Sequence, residues 1–599
     1  HSNGVQIIRS SAIIQLLLGN IGVAGGGINA LRGEPNVQGS TDHTILYDSL
    51  PGYMGMPRSD KQTLKDYLAG ITPKPLFANS TNWKANNPKY MVSLLKGWYG
   101  DNATPENDFC YSWVPKLEPN GDYSYYYAIN QAQKNKMRGA FIIGVNPCQS
   151  FPDSNKIRSA LDNLDWLVMG EIHHSETSDN WHRPGVDPKK MKTEVFFLPS
   201  AQRIEKEGTV SNSGRWLQWF DKAVEPAGEA RDFGDMLVPL INKIRDLYRK
   251  EGGTFPDPIL GLNWCEKYKA EEWTKRINGV FWKDTKVKDK VYHKGQLVPA
   301  FGNLQADGST SSLNWLYCNS YTEEDGNKAK NRDLSQTPEQ AALGLYPKWS
   351  WCWPVNRRVL YNRASVDPHG KPWNPKLPVI WWDGKAWKGD IVDGGGAPLA
   401  DKEKGRLPFI MNADGVGHLF GPGRADGPFP EHYEPVETPL TKHPFSNQLS
   451  SPCYKSFEED RPKFIKPGDP NYPIVLTTYS LTEHWCGGGE TRNTPGLLEA
   501  EPQLAKEKGI KNGDGVIIEN TRGRVEAIAM VTVRIRPFKI MGKTVHLIGM
   551  PFAYGWLTPL CGDATNRLTL SAFDPNTTIQ EDKACLVNLR KADKLTEIG

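Results

Sequence analysis

The sequence predicts an α/β protein with doubly wound α/β domains and a C-terminal β-barrel domain. Residues 139–169 have the pattern of strand, helix and strand, which is the repeating unit of a parallel sheet. Residues 472–549 have short strands, tight glycine turns and one short helix, which fits a small barrel. A chain of 599 residues also exceeds what one hydrophobic core organises, so several domains are expected.

Hydrophobic periodicity predicts the individual elements in chain order. A first helix carries apolar residues at helical spacing and ends at Gly19, before the glycine-rich turn 22–27. The predicted elements of the α/β part are strand 139–144, helix 154–164, strand 166–169, strand 194–198 and helix 235–248. Residues 252–470 are rich in Gly, Pro and Trp and predict long connections. The predicted elements of the last part are strand 472–478, helix 500–508, hairpin 515–520 with 524–534, and strand 546–549.

The charge balance argues against a nucleic-acid partner. The chain has 72 Lys and Arg against 68 Asp and Glu, with a formal net charge of +4, and the basic residues are scattered. No stretch approaches the roughly 18 apolar residues that span a bilayer. The sequence begins at His1 and enters a helical pattern directly, so we expect that an upstream portion is missing.

The cysteines argue against a metal cluster built from this chain alone. All nine stand singly, without any C-x-x-C pair, whereas iron-sulfur and structural zinc sites normally use closely spaced thiolates. The adjacent His173 and His174 point to opposite faces of an extended chain, and no H-E-x-x-H is present. A solvated or hydrogen-bonded role is therefore favoured for both, and no metal ligand is assigned.

Two strand ends in the α/β part are candidate nucleotide-binding positions. The turn 144–147 (GVNP) follows the first strand and precedes a helix, where backbone donors face a ligand in doubly wound sheets. At the end of the next strand, Glu171 can accept the paired N–H donors of a guanine edge and Thr177 can reach a phosphate. Taken alone, the first motif is better explained as a plain strand-to-helix turn.

Two polar segments elsewhere are candidates for ligand contacts. Residues 207–215 form a polar loop suited to phosphate or a pterin, with an ordinary surface loop as the alternative. Arg32 can hold a small carboxylate through two parallel hydrogen bonds, and its glycine neighbour leaves space for a ligand. Without further context such an arginine is usually only solvated.

Several stretches resemble formate dehydrogenases of the dimethyl-sulfoxide-reductase superfamily. The most specific is LRGEPNVQGSTD at 31–42. Stretches that resemble the respiratory branch in particular are LQADGSTSS at 304–312, WPVNRRVLYNRAS at 353–365 and GPFPEHYEPVETPL at 427–440. The motifs GVNP, EKEGTVSNSGR, LTTYSLTEHW, NRLTL and DKACLVNL follow in the family's order. The resemblance covers essentially the whole chain.

The resemblance implies the molybdopterin oxidoreductase fold with a double-psi-like barrel at its end. The implied domains are the end of one α/β domain at 1–34, part of another at 35–220, a connecting region at 221–470 and the barrel at 471–599. By position, Arg32 resembles the arginine that orients formate. The implied cofactor contacts are Gly33, Gln38, Gly144, Asn146, Pro147, Glu171, Thr177, Glu207, Gly208, Asn212, Tyr479, Ser480, Thr482, His484, Asn566 and Lys583.

The implied reaction is two-electron oxidation of formate to carbon dioxide, or its reverse, at tungsten or molybdenum held by two molybdopterin guanine dinucleotides. The family's selenocysteine or cysteine ligand and its four-iron four-sulfur cluster ligands lie in an N-terminal portion absent here. The implied partners are a small iron-sulfur beta subunit and a cytochrome c or membrane cytochrome b, in the periplasm. Glu34 stands where some relatives have glutamine, and Ser480 where relatives often have arginine.

Two other readings remain open. Nitrate and polysulfide reductases share the cofactor and differ on the substrate side of the metal. A relative that has lost the cofactor would act as an electron-transfer scaffold, and metal and pterin analysis of the intact protein separates that class from the enzymes.

Overall fold

The structure is a computed structural model. It describes residues 2–20, 27–28, 30–34, 36–74, 83–338, 341, 346, 348–352, 365–389, 397–398, 400–401, 419–421, 423–480, 497–552, 554–557 and 564–596. The predicted contacts Thr482 and His484, and nearly all of the segment 353–365, lie outside these residues.

The chain forms two compact units that are interleaved in sequence. Unit 1 contains residues 1–13, 124–200 and 419–599, and unit 2 contains residues 14–123 and 201–418. The sequence analysis divides the chain into consecutive domains instead, and those boundaries stay a prediction.

The described helices and strands are as follows. The α-helices are α1 (Gly4–Leu17), α2 (Val37–Asp42), α3 (Leu64–Ile71), α4 (Asn87–Tyr99), α5 (Tyr125–Gln133), α6 (Pro147–Ser150), α7 (Ser154–Leu161), α8 (Phe233–Glu251), α9 (Asp257–Leu260), α10 (Ala270–Asn278) and α11 (Pro502–Glu507). The strands up to residue 400 are β1 (Ser49–Leu50), β2 (Met54–Gly55), β3 (Gly139–Ile143), β4 (Trp166–Glu171), β5 (Glu194–Pro199), β6 (Gly208–Ser211), β7 (Trp216–Phe220), β8 (Val280–Phe281), β9 (Thr285–Val287), β10 (Lys290–Tyr292), β11 (Thr310–Ser311), β12 (Tyr321–Thr322), β13 (Gly326–Asn327), β14 (Ser350–Trp351), β15 (Ile380–Trp382) and β16 (Trp387–Gly389). The later strands are β17 (Ile474–Tyr479), β18 (Leu497–Ala500), β19 (Gly515–Asn520), β20 (Gly523–Val531), β21 (Phe538–Ile540), β22 (Lys543–Val545), β23 (Leu547–Pro551) and β24 (Cys585–Lys591).

The α/β part of unit 1 is a parallel sheet of β3, β4 and β5. Gly139 pairs with Trp166, and Trp166 pairs with Glu194. Helix α7 begins after Asp153, whose side chain accepts the Lys156 amide at 3.3 Å as an N-cap. Its buried Ile157 and Leu161 pack in the same hydrophobic cluster as Leu167 and Met169 of β4. The predicted strand, helix and strand are confirmed.

The barrel of unit 1 is closed by six strands of the described chain, in the order β17-β23-β18-β20-β19-β24. The pairs β17–β23 and β18–β20 are parallel, and the other neighbours are antiparallel. Strand β20 alternates in burial, so Val525, Ala527 and Ala529 point into the core. The predicted fold class, α/β domains with a C-terminal barrel, is confirmed.

Unit 2 has a core around α4 and many two- and three-residue strands. Met91, Leu94 and Leu95 of α4 are fully buried in the main hydrophobic cluster of this unit. The polar segment 207–215, predicted as a loop, forms β6 and the turn of the β6–β7 hairpin, and β14 extends that sheet by pairing with β7. Among the described residues, we find no helix with the length and apolar character needed to cross a bilayer.

Candidate functional site

The turn after β3 lies at the carboxyl end of the parallel sheet of unit 1, as predicted. Gly144 has φ +68°, a conformation that glycine adopts without strain, and its amide donates to the Gly170 carbonyl at 2.9 Å. A Cβ built at Gly144 would meet no atom within 4 Å. This open position at the strand ends is where doubly wound sheets receive a ligand.

The polar residues behind this turn bind one another. The Asn146 amide nitrogen donates to Glu176 at 2.7 Å, and its oxygen accepts the Thr177 hydroxyl at 2.8 Å. The Thr177 hydroxyl accepts the Cys148 amide, beside Pro147 at the start of α6, at 3.1 Å. Asn146 and Thr177 are therefore buried supports that shape the turn. Their predicted contact with a dinucleotide is not tested by this arrangement and stays a prediction.

Glu171 ends β4 and is half-buried at the same edge of the sheet. Burial raises the pKa of Glu171, and the hydrogen bond from the Ile172 amide opposes that shift. The amide lies 3.2 Å from the Glu171 carboxylate. A partly desolvated acceptor at a strand end suits the paired N–H donors of a guanine ring better than a fully solvated carboxylate does.

The neighbouring His174 has a hydrogen-bonded environment. His174 Nδ1 lies 3.2 Å from Asp179, and its ring stacks on Phe197 with centroids 4.2 Å apart. This agrees with the hydrogen-bonded role that the sequence favours over a metal site.

The barrel contributes polar residues at the end of β17. The Lys583 ammonium donates to the Thr478 carbonyl at 3.0 Å and lies 5.7 Å from the centre of the Phe552 ring. Burial and the nearby Glu499 carboxylate raise the pKa of Tyr479, so its phenol stays a neutral donor. Ser480 follows as an exposed residue.

Asn566 lies in the loop that packs on α6. It is fully buried, and its amide donates to the Gln149 carbonyl at 2.9 Å. Its oxygen accepts the Thr569 hydroxyl at 3.0 Å. Asn566 therefore joins the barrel part of unit 1 to α6, the short helix that begins at the proline of GVNP. The structure brings these two predicted regions together.

In unit 2, the turn of the β6–β7 hairpin is hydrogen-bonded to the backbone of Arg32. Asn212 closes the turn by accepting the Trp216 amide at 3.2 Å, and Arg215 adopts φ +67°. The Ser213 hydroxyl accepts the Arg32 amide at 2.9 Å. The Arg32 side chain is exposed, and a Cβ built at Gly33 would meet nothing within 4 Å. Open space thus lies around Gly33, the residue that follows Arg32.

The other predicted residues of this region have simpler surroundings. Glu207 is exposed, and Gly208 pairs with Phe220, whose ring lies 3.2 Å from a Cβ built at Gly208. Glu34 is exposed and forms no ion pair with Arg32 in the described part of the chain. The carboxylate that replaces glutamine at position 34 is thus solvent-exposed.

Helix α2 contains a buried polar network that the sequence analysis did not identify. Gln38 is 2% exposed and donates to Asp42, one helical turn later, at 2.8 Å. Asp42 is completely buried and also accepts the hydroxyls of Tyr53 and Tyr317, at 2.6 and 3.0 Å. The available signal was the i,i+4 spacing of Gln38 and Asp42 on a short polar helix. The two tyrosines come from distant positions in the sequence.

One cluster of unit 1 has the residue types of a metal site. Ligand atoms of His432, Glu434 and His443 lie within 4.8 Å of one another. The Phe445 amide donates to His443 Nδ1 at 3.0 Å, so the proton of a neutral ring is on Nε2, which is 2.7 Å from His432 Nδ1. This geometry is that of a hydrogen bond between two histidines, since a cation would require Nε2 without its proton.

The residues of unit 1 fit a dinucleotide. This fit is supported by the open position at Gly144, the half-buried acceptor Glu171 and the Lys583 cation at the end of β17. These groups offer a glycine turn, an acceptor for a base edge and a positive charge for a phosphate. Such a combination is that of a nucleotide-binding α/β domain completed by a second domain.

Comparisons with protein families define the class. The family model "Molybdopterin oxidoreductase" matches residues 1–243, and the model "Molydopterin dinucleotide binding domain" matches residues 474–586. Over these two ranges the chain is similar to molybdopterin oxidoreductases. The second match coincides with the barrel and includes the predicted contacts Tyr479, Ser480, Asn566 and Lys583.

Curated relatives narrow the class further. The chain is 70% identical over its whole length to formate dehydrogenase 2 subunit alpha (cytochrome c-553) of Nitratidesulfovibrio vulgaris. It is 49% identical over 99% of its length to formate dehydrogenase subunit alpha of Megalodesulfovibrio gigas. It is 42% identical, also over 99%, to the nitrate-inducible formate dehydrogenase major subunit of Escherichia coli. The resemblance to formate dehydrogenase catalytic subunits is thus confirmed.

The chain spans about 60% of the length of these curated relatives: 60%, 60% and 59% respectively. Among solved structures, acetylene hydratase from Pelobacter acetylenicus covers 86% of this chain and 51% of its own, at a TM-score of 0.36 and 12% identity. That likeness is too weak to bear on the fold.

Proposed function

We propose that the complete protein is a formate dehydrogenase catalytic subunit that oxidises formate to carbon dioxide. The observation that carries the proposal is Arg32, an exposed residue followed by the open position Gly33, within a chain 70% identical to a named formate dehydrogenase alpha subunit. Formate is a small planar carboxylate, and a guanidinium can bind both of its oxygens through parallel N–H donors. The chain's part in catalysis is then to bind and orient the substrate.

The backbone around Arg32 supports this role. The hydroxyl of Ser213 fixes the Arg32 amide at 2.9 Å, and the turn that presents Ser213 is closed by Asn212. The guanidinium therefore extends from an anchored main chain. Holding a carboxylate in one orientation removes rotational freedom before reaction, which lowers the activation barrier.

The cofactor is proposed to be two molybdopterin guanine dinucleotides that hold tungsten or molybdenum. When bound, the metal centre accepts the two electrons of the substrate. Residues of unit 1 at Gly144, Glu171 and Lys583 would hold a dinucleotide, together with the predicted contacts at Tyr479 and Ser480. A four-iron four-sulfur cluster, with ligands outside this chain, would remove the electrons.

Partners and location are proposed on the same basis. A small iron-sulfur beta subunit would carry electrons onward, to a cytochrome c or a membrane cytochrome b. The name of the Nitratidesulfovibrio vulgaris relative includes cytochrome c-553, which supports a c-type cytochrome. Export to the periplasm is part of the proposal, and fractionation of cells that produce the complete protein tests it.

The variant Arg32→Lys in the complete enzyme tests the substrate role. A lysine keeps the charge and loses the bidentate grip, so kcat/KM for formate should fall about 10- to 100-fold, the equivalent of one charge-assisted hydrogen bond. Formate-dependent dye reduction measures this. Arg249→Lys is the matched control, because Arg249 is an exposed residue of α8 paired with Asp246.

Two results would contradict the proposal. If the purified complete protein contained no tungsten, molybdenum or pterin, the result would support the alternative that it is an electron-transfer scaffold subunit. Fully loaded enzyme that reduces nitrate or polysulfide and leaves formate unchanged would place the protein elsewhere in the superfamily.

A further inference from the structure

The Asp42 carboxylate organises the polar residues beneath Arg32. It is 0% exposed and lies at the end of α2. Its Oδ1 accepts the Gln38 amide at 2.8 Å and the Tyr53 hydroxyl at 2.6 Å, and its Oδ2 accepts the Tyr317 hydroxyl at 3.0 Å. A buried carboxylate that accepts three such hydrogen bonds is held in one orientation, because rotating it would leave both oxygens without their donors.

This arrangement determines which way the Gln38 amide faces. Gln38 Nε2 has two protons, and it donates to Asp42 at 2.8 Å and to the Tyr53 oxygen at 3.2 Å. Flipping the amide would place its oxygen against the Asp42 carboxylate, which is repulsive. The Gln38 Oε1 must therefore face the other side, where it lies 3.5 Å from Nη2 of Arg32.

We propose that Gln38 is a positioning residue for the substrate arginine, oriented by Asp42 and Tyr53. Its Oε1 is an acceptor of fixed direction for one edge of the Arg32 guanidinium, so the opposite edge is presented to formate in a defined plane. This inference rests on the proposed function, because formate is the ligand placed beside Arg32. It differs from the predicted contact of Gln38 with the cofactor, since both amide protons are used within the network.

Tyr317 provides the comparison that separates positioning from support. Its hydroxyl donates to Oδ2 of Asp42 and lies 2.9 Å from the Ser211 hydroxyl, and among the described residues it makes no hydrogen bond with Gln38 or Arg32. Removing it takes one donor from Asp42, as removing the Gln38 amide does. Both changes therefore remove one hydrogen bond from Asp42, but only the loss of the Gln38 amide also removes the acceptor beside Arg32.

The test compares Gln38→Met and Tyr317→Phe in the complete, cofactor-loaded enzyme. Methionine fills the space of glutamine without its oxygen, so we expect the KM for formate to rise about tenfold, with kcat changed by less than about twofold. Tyr317→Phe should lower Tm and leave KM as in the wild type. Tyr53→Phe, which loosens the Gln38 amide without removing it, should raise KM by an intermediate factor.

A second readout does not depend on turnover. Formate binding should raise the Tm of the wild-type protein, and the formate concentration needed for this shift should increase about tenfold in Gln38→Met and not in Tyr317→Phe. Equal KM values and equal formate-induced shifts in the two variants would overturn the positioning role. A wild-type enzyme without pterin or formate oxidation would instead overturn the proposed function, so the two failures are distinguishable.

Discussion

The buried ion pair of Arg522 and Glu437 shows how a single carboxylate, that of Glu437, stabilises the barrel. Their two hydrogen bonds measure 2.6 and 2.8 Å, and the side chains are 1% and 0% exposed. The Glu437 carboxylate also accepts the amides of Ile465 and Leu586, at 2.8 and 2.9 Å. One carboxylate thus links a connecting segment, the β19–β20 turn and the start of β24.

Arg522→Met should destabilise unit 1 by about 3–5 kcal/mol, because it leaves the Glu437 charge buried without a counter-ion. Arg590→Met is the control: its pair with Glu519 measures 3.4 Å and is partly exposed, so the loss should stay below about 1 kcal/mol. Denaturant unfolding of both variants measures the difference. Similar losses for the two would mean that Glu437 is compensated by its amide donors alone.

Single residues were predictable where the chemistry is local. The open position of Gly144 follows from a strand-to-helix turn, and the open position that follows Arg32 in the chain is a glycine, Gly33. Asp42, Tyr53 and Tyr317 were missed, because 275 positions separate Asp42 from Tyr317 and no periodicity connects them. Buried polar networks depend on tertiary packing, which one sequence does not specify.

Elements with strong periodicity were predicted well. The strands of the α/β part, helix α8 and the β19–β20 hairpin all occur, with boundaries shifted by a few residues. The segment 207–215 was predicted as a loop because Ser, Asn and Gly dominate it. Its first residues form β6 through pairing with Trp216–Phe220, so tertiary pairing overrides composition there.

The junction between α10 and β8 requires glycine at position 279. Gly279 has φ +106° and ψ 159°, a region that side-chain-bearing residues avoid, and a Cβ there would lie 2.0 Å from the Ser311 carbonyl oxygen. Gly279→Ala should therefore destabilise unit 2 by at least about 2 kcal/mol, since the backbone of β11 has to shift.

The control for this junction is Gly302→Ala. Gly302 has no atom within 4 Å of its built Cβ and no positive φ. Its Tm should stay within a few degrees of the wild type, whereas that of Gly279→Ala should fall clearly, as thermal unfolding would measure. An unchanged Tm in Gly279→Ala would show that the α10–β8 junction adapts without strain.

At the scale of the whole molecule, unit 1 is assembled from three separate stretches of chain. Its α/β part and its barrel part are joined by buried polar contacts as well as by Trp556, which packs with Leu161 and Leu167 in one cluster. Lys156 of α7 lies 2.6 Å from Asp460, and both side chains are 4% exposed. These contacts predict that the two parts unfold as one cooperative unit, although distant segments encode them.

Hydrogen exchange of the Lys156→Met protein tests this cooperativity. The variant leaves the Asp460 carboxylate buried and unpaired, at a cost of about 3–5 kcal/mol, so globally protected amides of β4 and β19 should both exchange at least about 100-fold faster. Lys134→Met is the control. Lys134 pairs with Glu459, the neighbour of Asp460 in sequence, and both side chains are over 40% exposed. Amide protection in this variant should therefore remain near the wild-type level. Faster exchange confined to β4 would show that the sheet opens independently of the barrel.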